Sequence, residues 1–417
     1  MKKNLKKIDS KIYSLIKKER KRREDGLEMI PSENHTSLAV LESLSSILND
    51  KYSEGYPKKR YYGGCEVVDD VESLCQKRAK DLFKVPYVNV QPYSGSPANH
   101  AVYFATLNPG DKIMGMDLSV GGHLTHGSKV NFSGKYYKAV CYGVNKKTER
   151  IDYDEILKFA KKERPKLIWA GTTAYPRTIN WKKFKKISDL VGAYLCADIS
   201  HIAGLILSGV HPSPSSFVDI ITTTTHKTLR GPRGGMIMVT NLGLKKDKNL
   251  SLKIDKAIFP GLQGGPHQHQ IAGIAVCLKE ASTTSFKNYG KQIVKNSKAL
   301  SEELIKSGFN LVTRGTDNHL MVIDLRNKDI SGSKAETLLN NSGITVNKNT
   351  IPFDPRSPFD PSGIRLGTPA ITTRGMKEKE MVQIARWINE VIDKRNQKNC
   401  LKVKKEIIRF CKKFPIP

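Results

Sequence analysis

The sequence predicts an α/β protein: a large domain on a mainly parallel sheet, followed by a smaller C-terminal α/β domain. Two observations carry this. Through the middle of the 417-residue chain, short apolar runs alternate with stretches whose apolar residues fall at helical spacing. Strands alternating with helices give a parallel sheet covered on both faces. Beyond about residue 280 the texture shifts to long polar–apolar helical patterns and two short strand-like runs. The expected units are a helical arm over 1–50, a large domain over 51–280 and a small domain over 281–417.

Each element has its own signal. Residues 1–30 read as a basic helical arm with a narrow apolar stripe of Ile8, Ile12, Leu15 and Ile16. The stripe is short and lacks Trp or Phe, which suits a second subunit better than a membrane surface. Glu66–Phe83 places Val67, Val68, Val71, Leu74, Cys75, Leu82 and Phe83 at helical spacing. Pro97–Leu107 follows as a second helix, with Pro97 suited to the first helical position. The runs Lys112–Met116, Leu167–Ala170, Ala193–Ala197, Asp219–Thr225 and Met236–Thr240 are the expected strands, with Trp181–Val191 a helix between two of them. In the small domain, Phe286–Ser307 and Gly375–Arg395 are helical, and Leu320–Leu325 and Ile344–Val346 are strands. The turn-rich tract Ile351–Gly363 is expected to be an ordered loop.

Charge and composition exclude more than they select. Lys plus Arg number 70 and Asp plus Glu 40, a net charge of +30. The basic residues are mostly Lys and spread along the chain, the pattern of a solvated surface. Nucleic acid is therefore not an expected partner. No run of about 18 uncharged apolar residues exists to cross a membrane. The Lys-rich start is followed by no apolar segment of a secretory signal, so a cytoplasmic location is expected. The seven cysteines form no Cys-x-x-Cys pair, so neither a disulfide framework nor a zinc site is indicated.

Five windows carry chemistry. The β-branched run from Asp219 ends abruptly at His226-Lys227 before a Gly/Pro turn. A Lys at a buried strand end must be paired or lose basicity, and the neutral amine is the nucleophile a Schiff-base Lys needs; a Lys snorkelling from a surface loop is the plainer alternative. Asp198 ends the apolar run Tyr194-Leu-Cys-Ala, where a doubly wound sheet binds ligands, although it also suits a helix cap. An amine and a carboxylate on separate strand ends meet the needs of pyridoxal phosphate, whose ring nitrogen requires an acidic partner. Ser94-Gly95-Ser96 before Pro97 suits either a phosphate at a helix start or an ordinary cap. His123 with His126, and His267 with His269, have no Cys or acidic companions at zinc spacing, so no metal is expected; His123, beside flexible glycines, suits stacking on an aromatic cofactor. Arg365 between glycines can clamp a carboxylate or form a structural salt bridge.

Together these windows resemble the serine hydroxymethyltransferase family, over Ile30 to Asp393. The most specific stretches are Lys51-Tyr-Ser-Glu-Gly-Tyr-Pro with Arg60-Tyr-Tyr-Gly-Gly64, Gly121-Gly-His-Leu-Thr-His-Gly127, Thr222–Gly235, Phe259–Pro266 and Thr316-Asp-Asn-His-Leu320. The resemblance implies a pyridoxal-phosphate enzyme of the aspartate-aminotransferase-like fold (fold type I). It implies reversible transfer of the serine hydroxymethyl carbon to tetrahydrofolate, giving glycine and 5,10-methylenetetrahydrofolate. It implies Lys227 as the Schiff-base Lys, Asp198 at the ring nitrogen, His123 stacked on the ring, Thr173 and His201 near the ring oxygen, and His226 beside the reacting centre. Ser94, Gly95 and Ser96 would hold the phosphate, and Arg233 would support the cofactor site. Members are homodimers with shared sites, so Tyr52, Gly264 and Gly265 would reach the phosphate of the other subunit. Ser32 and Arg365 would bind the amino-acid carboxylate. Glu54 and Tyr62 would handle protons and orient substrate, and Glu54 would also lie near the folate. Tyr61, Leu118, Gly122, His123, Leu124, Asn349, Ser357, Pro358 and Phe359 match folate-contacting positions. A folate-independent aldolase on the same fold would share Lys227 and Asp198 without needing Leu118–Leu124 or Ser357–Phe359.

Four positions depart from the family's commoner residues. Pro31 and Ser200 each stand where Ala is usual, Leu262 replaces a Gly found in some members, and Lys58 replaces a Gly. The last raises the question of whether that turn needs a positive φ.

Overall fold

The computed structural model describes residues 2–417, the side chains of Lys2 and Lys3 excepted. Its large sheet has seven strands in the order Tyr87–Asn89, Gly235–Val239, Ile220–Thr224, Tyr194–Asp198, Leu167–Gly171, Lys112–Met116 and Lys138–Tyr142. Gly235–Val239 is antiparallel to both neighbours, and the other adjacent pairs are parallel, so six strands share one direction. Leu167–Gly171, Ile220–Thr224 and Gly235–Val239 are buried at every residue, as strands covered on both faces must be. The expected strands are present to within a residue or two. The outermost strands, Tyr87–Asn89 and Lys138–Tyr142, escaped the sequence reading: one is three residues long, the other half-exposed.

The covering helices follow their apolar stripes. Trp181–Val191 buries Trp181, Phe184 and Ile187; Asn180 caps its start through Lys183 N–H at 3.0 Å, and Gly192 ends it at φ 74°. The helix expected from Pro97 begins at Gly95 and runs to Thr106. Pro97 thus occupies the third helical position, which is tolerated because the first four N–H groups have no intrahelical acceptor. The basic arm is two helices, Lys2–Ile8 and Ser10–Asp25, because Asp9 breaks it and caps the second through Ile12 N–H at 2.9 Å. Its apolar stripe is exposed, Ile8 by 84%.

A second core lies around the C-terminal sheet Asn310–Leu311, Leu320–Asp324, Gly363–Gly367 and Asn347–Asn349. The expected strand at Ile344 is real but stands outside this sheet, pairing in parallel with Leu27–Glu28. Leu27 and Met29 are fully buried among residues of this C-terminal core. Arg374 closes the junction, its guanidinium donating to the carbonyls of Arg23, Glu24, Gly26, Cys411 and Phe414. The tract Ile351–Gly363 is an ordered loop, held by Asp354 accepting from Ile351 N–H, Ser362 N–H and Ser362 Oγ.

Lys58 answers the question its position raised. It adopts φ 64° in the turn joining Gly55–Tyr56 to Lys59–Arg60, and its N–H donates to Asp69 Oδ2 at 2.7 Å. A side chain there costs about 1 kcal/mol. Lys58→Gly is expected to raise unfolding stability by about 0.5–1 kcal/mol in a urea titration; a destabilised variant would show that the Lys58 side chain itself holds the turn.

Candidate active site

The carboxyl ends of two adjacent parallel strands, Tyr194–Asp198 and Ile220–Thr224, open into a cavity of about 340 Å³. The start of the Gly95–Thr106 helix forms one wall. Its lining includes Ser32, Ser94, Gly95, Ser96, His123, Thr173, Asp198, His201, His226, Lys227, Arg233 and Arg365. These are residues that sequence reasoning assigned to cofactor, to amino-acid substrate or, for His226, beside the reacting centre. Glu33, Thr172, Ser200 and Thr224 also line it and were not assigned roles.

Asp198 is 8% exposed and accepts four hydrogen bonds. Ser200 N–H and Oγ donate to Oδ1 at 3.0 and 2.6 Å; Asn99 Nδ2 and His126 Nε2 reach Oδ2 at 3.0 and 3.1 Å. Burial pushes the carboxyl up, but the His126 hydrogen bond and the electrostatic pull of His126, His123 and Lys227 outweigh it, leaving Asp198 far below the usual carboxylate range. It is therefore a fixed anion. It does not cap the following helix, whose N-cap is Ile202.

Lys227 sits three residues beyond the strand, in the bend that follows Thr224. Among the described residues its Nζ forms no ion pair. Burial pulls its ammonium down to about 8, with Asp198 drawing it back up and Arg365 and Arg233 pressing it lower. The snorkelling alternative is thus excluded, because Lys227 lines the cavity and is not exposed. His226 is held near 3 by burial and by the charges of Lys227 and Arg233, and His123 near 4 by burial and His126, against the pull of Asp198. His201 is likewise pushed far down by burial, then by Lys227 and Arg365. All three imidazoles are neutral at pH 7.

Tautomers follow from partners. His126 stacks on Trp169 at 5.0 Å, 9° from parallel, and must carry its hydrogen on Nε2 because a carboxylate only accepts. His123 Nδ1 accepts from Thr125 N–H at 3.2 Å, which puts its hydrogen on Nε2. His201 Nδ1 lies 3.3 Å from His319 Nε2, a pair that only one proton can bridge. The acidic companion missing from the His123/His126 window is supplied by Asp198, 72 residues from His126. Their ligand atoms come within 4.8 Å of one another, but His126 Nε2 and Asp198 Oδ2 are spent on each other.

Arg365 forms no salt bridge among the described residues. It is 7% exposed, with Nε on Asn347 Oδ1 at 3.1 Å and Nη1 on the Thr173 carbonyl at 2.6 Å. Burial lowers its guanidinium to about 10, so it stays charged and keeps donor capacity for an incoming carboxylate.

The other predicted residues gather elsewhere. Tyr52 and Tyr62 meet edge-on at 5.2 Å, and Tyr61 meets Phe259 at 5.6 Å. A Cβ on Gly265 would touch the Tyr52 ring at 3.4 Å, and one on Gly264 would meet Glu54 Oε1 at 3.3 Å. Tyr52, Tyr61 and Tyr62 are exposed, and none of this group lines the chain's own cavity. The group is nonetheless rigidly supported. Arg60 donates to the carbonyls of Ser53 and Gly55, on either side of Glu54, at 2.9 and 2.8 Å. Its guanidinium also binds Asp69 at 2.8 Å and the fully buried Glu72 at 2.7 Å. Leu118 and Leu124 are partly exposed, and Gly122 packs where a Cβ would strike Met116 O at 2.0 Å. Asn349 turns to the Thr350 carbonyl at 2.6 Å, and Ser357, Pro358 and Phe359 lie on the exposed loop. None of these lines the cavity either.

The cavity fits a phosphorylated aromatic aldehyde. It offers an amine of lowered basicity, a fixed carboxylate, neutral imidazoles and a helix start with two hydroxyls. Two buried polar atoms on its lining, Thr224 Oγ1 and His226 Nδ1, have no partner within the chain, as expected of groups that await a ligand. A Cβ on Gly95 would lie 2.6 Å from Thr224 Cγ2, so that wall admits no side chain. Pyridoxal 5′-phosphate meets each requirement. A family profile described as serine hydroxymethyltransferase matches residues 5–388, more than nine-tenths of the sequence. With the fold and the cavity agreeing, the chain belongs to the serine hydroxymethyltransferase family, pyridoxal-phosphate enzymes that interconvert serine and glycine by exchanging a one-carbon unit with tetrahydrofolate.

Proposed function

We propose that each active site of this transferase is built by two copies of the chain, working as a homodimer in the cytoplasm. One observation carries the shared site: Tyr52, Glu54, Tyr61, Tyr62, Gly264 and Gly265 form a supported, partly exposed cluster outside the cavity that holds Lys227 and Asp198. The exposed apolar stripe of the arm adds surface for a partner. Seven cysteines without disulfides suit a reducing compartment.

Within one subunit, Lys227 would hold the cofactor covalently and Asp198 would face its ring nitrogen. His123 would stack on the ring, Thr173 and His201 would lie near its oxygen, and Ser94, Gly95 and Ser96 would hold its phosphate. Arg233, at the cavity rim, would add positive charge there. When bound, the cofactor supplies the electron sink that makes cleavage of the serine Cα–Cβ bond feasible. Arg365 and Ser32 would bind and orient the serine carboxylate. His226, neutral beside Lys227, would shape the space around the reacting carbon. The second copy would bring Tyr52, Gly264 and Gly265 to the phosphate, Glu54 to hold the mobile proton and Tyr62 to orient the substrate. Tyr61, Leu118, Gly122, Leu124, Asn349 and Ser357–Phe359 would face the folate.

Mixing two inactive variants tests this. Lys227→Ala and Glu54→Gln are each expected to be inactive alone. After unfolding and refolding together in equal amounts, about a quarter of the wild-type sites are expected, because half the dimers are hybrids with one intact site. No recovered activity, with hybrids shown present by native mass spectrometry, would place both residues in one subunit's site.

A further inference from the structure

Ser200 stands where the family commonly carries Ala, and its hydroxyl is fully committed. It is 7% exposed and lines the cavity. Its Oγ donates to Asp198 Oδ1 at 2.6 Å and accepts from Thr224 N–H at 3.0 Å. Because a carboxylate only accepts, the direction of the first bond is fixed, and a lone pair is left for the second. One hydroxyl therefore joins two neighbouring strand ends, one bearing Asp198 and the other leading to Lys227. Thr224 Oγ1, beside the bridge, is buried without a partner.

We propose that Ser200 is a positioning residue for the Asp198 carboxylate, fixing its plane toward the cofactor ring nitrogen and tying it to the strand end that leads to Lys227. This rests on the assignment of Asp198 as that nitrogen's partner. Ala at 200 keeps the backbone N–H on Oδ1. It loses the shortest of the four bonds to Asp198 and removes the hydroxyl that accepts from the buried Thr224 N–H. Asn99 and His126 still hold Oδ2, so the carboxylate is expected to pivot about that side.

The test compares wild type, Ser200→Ala, Ser200→Thr and Asp198→Asn. Three quantities are measured: affinity of the cofactor-free protein for pyridoxal phosphate, pH dependence of the bound visible band, and melting temperature of the cofactor-free forms. Ser200→Ala is expected to weaken affinity about 10- to 150-fold, the value of one hydrogen bond to a charged group. It is also expected to displace the pH profile of the band, and Ser200→Thr to restore both. Unchanged affinity and band in Ser200→Ala, beside clear losses in Asp198→Asn, overturn the proposal, even if melting falls, because hydroxyl and strand would then matter to packing alone. If Asp198→Asn itself changes neither quantity, the assignment of Asp198 fails and the proposal goes with it.

Discussion

Lys227→Ala is expected to abolish the visible chromophore that borohydride reduces and fixes to the wild-type chain. Serine-to-glycine turnover should fall by on the order of 10³-fold or more. The expectation comes from where Lys227 sits. Among the described residues it is the one lysine lining the cavity, it follows a fully buried strand, and Asp198 lines the same cavity. Its environment also sets a pH signature. With the amine pulled down to about 8 by burial against the counter-pull of Asp198, the neutral fraction grows as pH climbs through 8. An exposed lysine does this near 10.4. The rate at which cofactor-free protein captures pyridoxal phosphate should therefore climb between about pH 7 and 9 and then level off. Asp198→Asn removes the counter-pull and should shift the climb to lower pH. A capture rate that rises only near pH 10, or a borohydride-fixed chromophore surviving in Lys227→Ala, would remove Lys227 from its assigned role.

Glu72→Ala is expected to destabilise the fold by about 3–5 kcal/mol. Glu72 is fully buried and takes Arg60 Nη2 at 2.7 Å and Gln91 Nε2 at 2.9 Å. Removing it strands the Arg60 guanidinium, itself 3% exposed, with Asp69 as its remaining anion. The damage comes from the charge left behind more than from the attraction lost. Arg60→Met combined with Glu72→Met should thus recover much of the loss, giving a large coupling energy in a double-mutant cycle. Urea unfolding at one fixed protein concentration measures this, since association of copies would otherwise shift apparent stability. A loss below about 1 kcal/mol in Glu72→Ala would mean that water or Asp69 takes over the partner's role. Because Arg60 also grips the carbonyls flanking Glu54, the same variant should impair the proposed shared site at temperatures where the fold survives.

Much of this was legible in the sequence, for physical reasons. A strand covered on both faces must be apolar or β-branched throughout, so Leu167–Gly171 and Ile220–Thr224 announce themselves. Ligands collect at the ends of such strands, so Asp198 and Lys227 stood out once the runs were seen to stop. Gly363–Gly367 did not read as a strand, because its glycines answer to neighbours: a Cβ on Gly363 would meet Ile351 Cγ2 at 2.6 Å. The partner of Ile344–Thr345 was hidden because it lies at the other end of the chain. His126 carried no role of its own in the sequence, since nothing local shows that its ring nitrogen meets a carboxylate 72 residues away. His319 was seen as part of a motif, but its meeting with His201 spans 118 residues. Pairings made only by the tertiary fold leave no periodic trace.

The junction closed by Arg374 has a consequence for how the protein is made. Leu27 and Met29 leave the ribosome early, yet the strand, sheet and helix that bury them are encoded after residue 300. Arg22 and Thr345, which share a hydrogen bond there, are 323 residues apart. The sheet over 87–239 can assemble while synthesis continues, but the C-terminal core must wait for the last helix, Gln397–Cys411. During that wait the nascent arm carries unpaired apolar residues beside a dense run of lysines and arginines. Non-local closure of this kind is slow and exposes sticky intermediates. The final fold is thus sealed by residues 22–29 meeting residues beyond 300, and a nascent chain stalled short of residue 397 would hold a formed cofactor sheet beside an open second core.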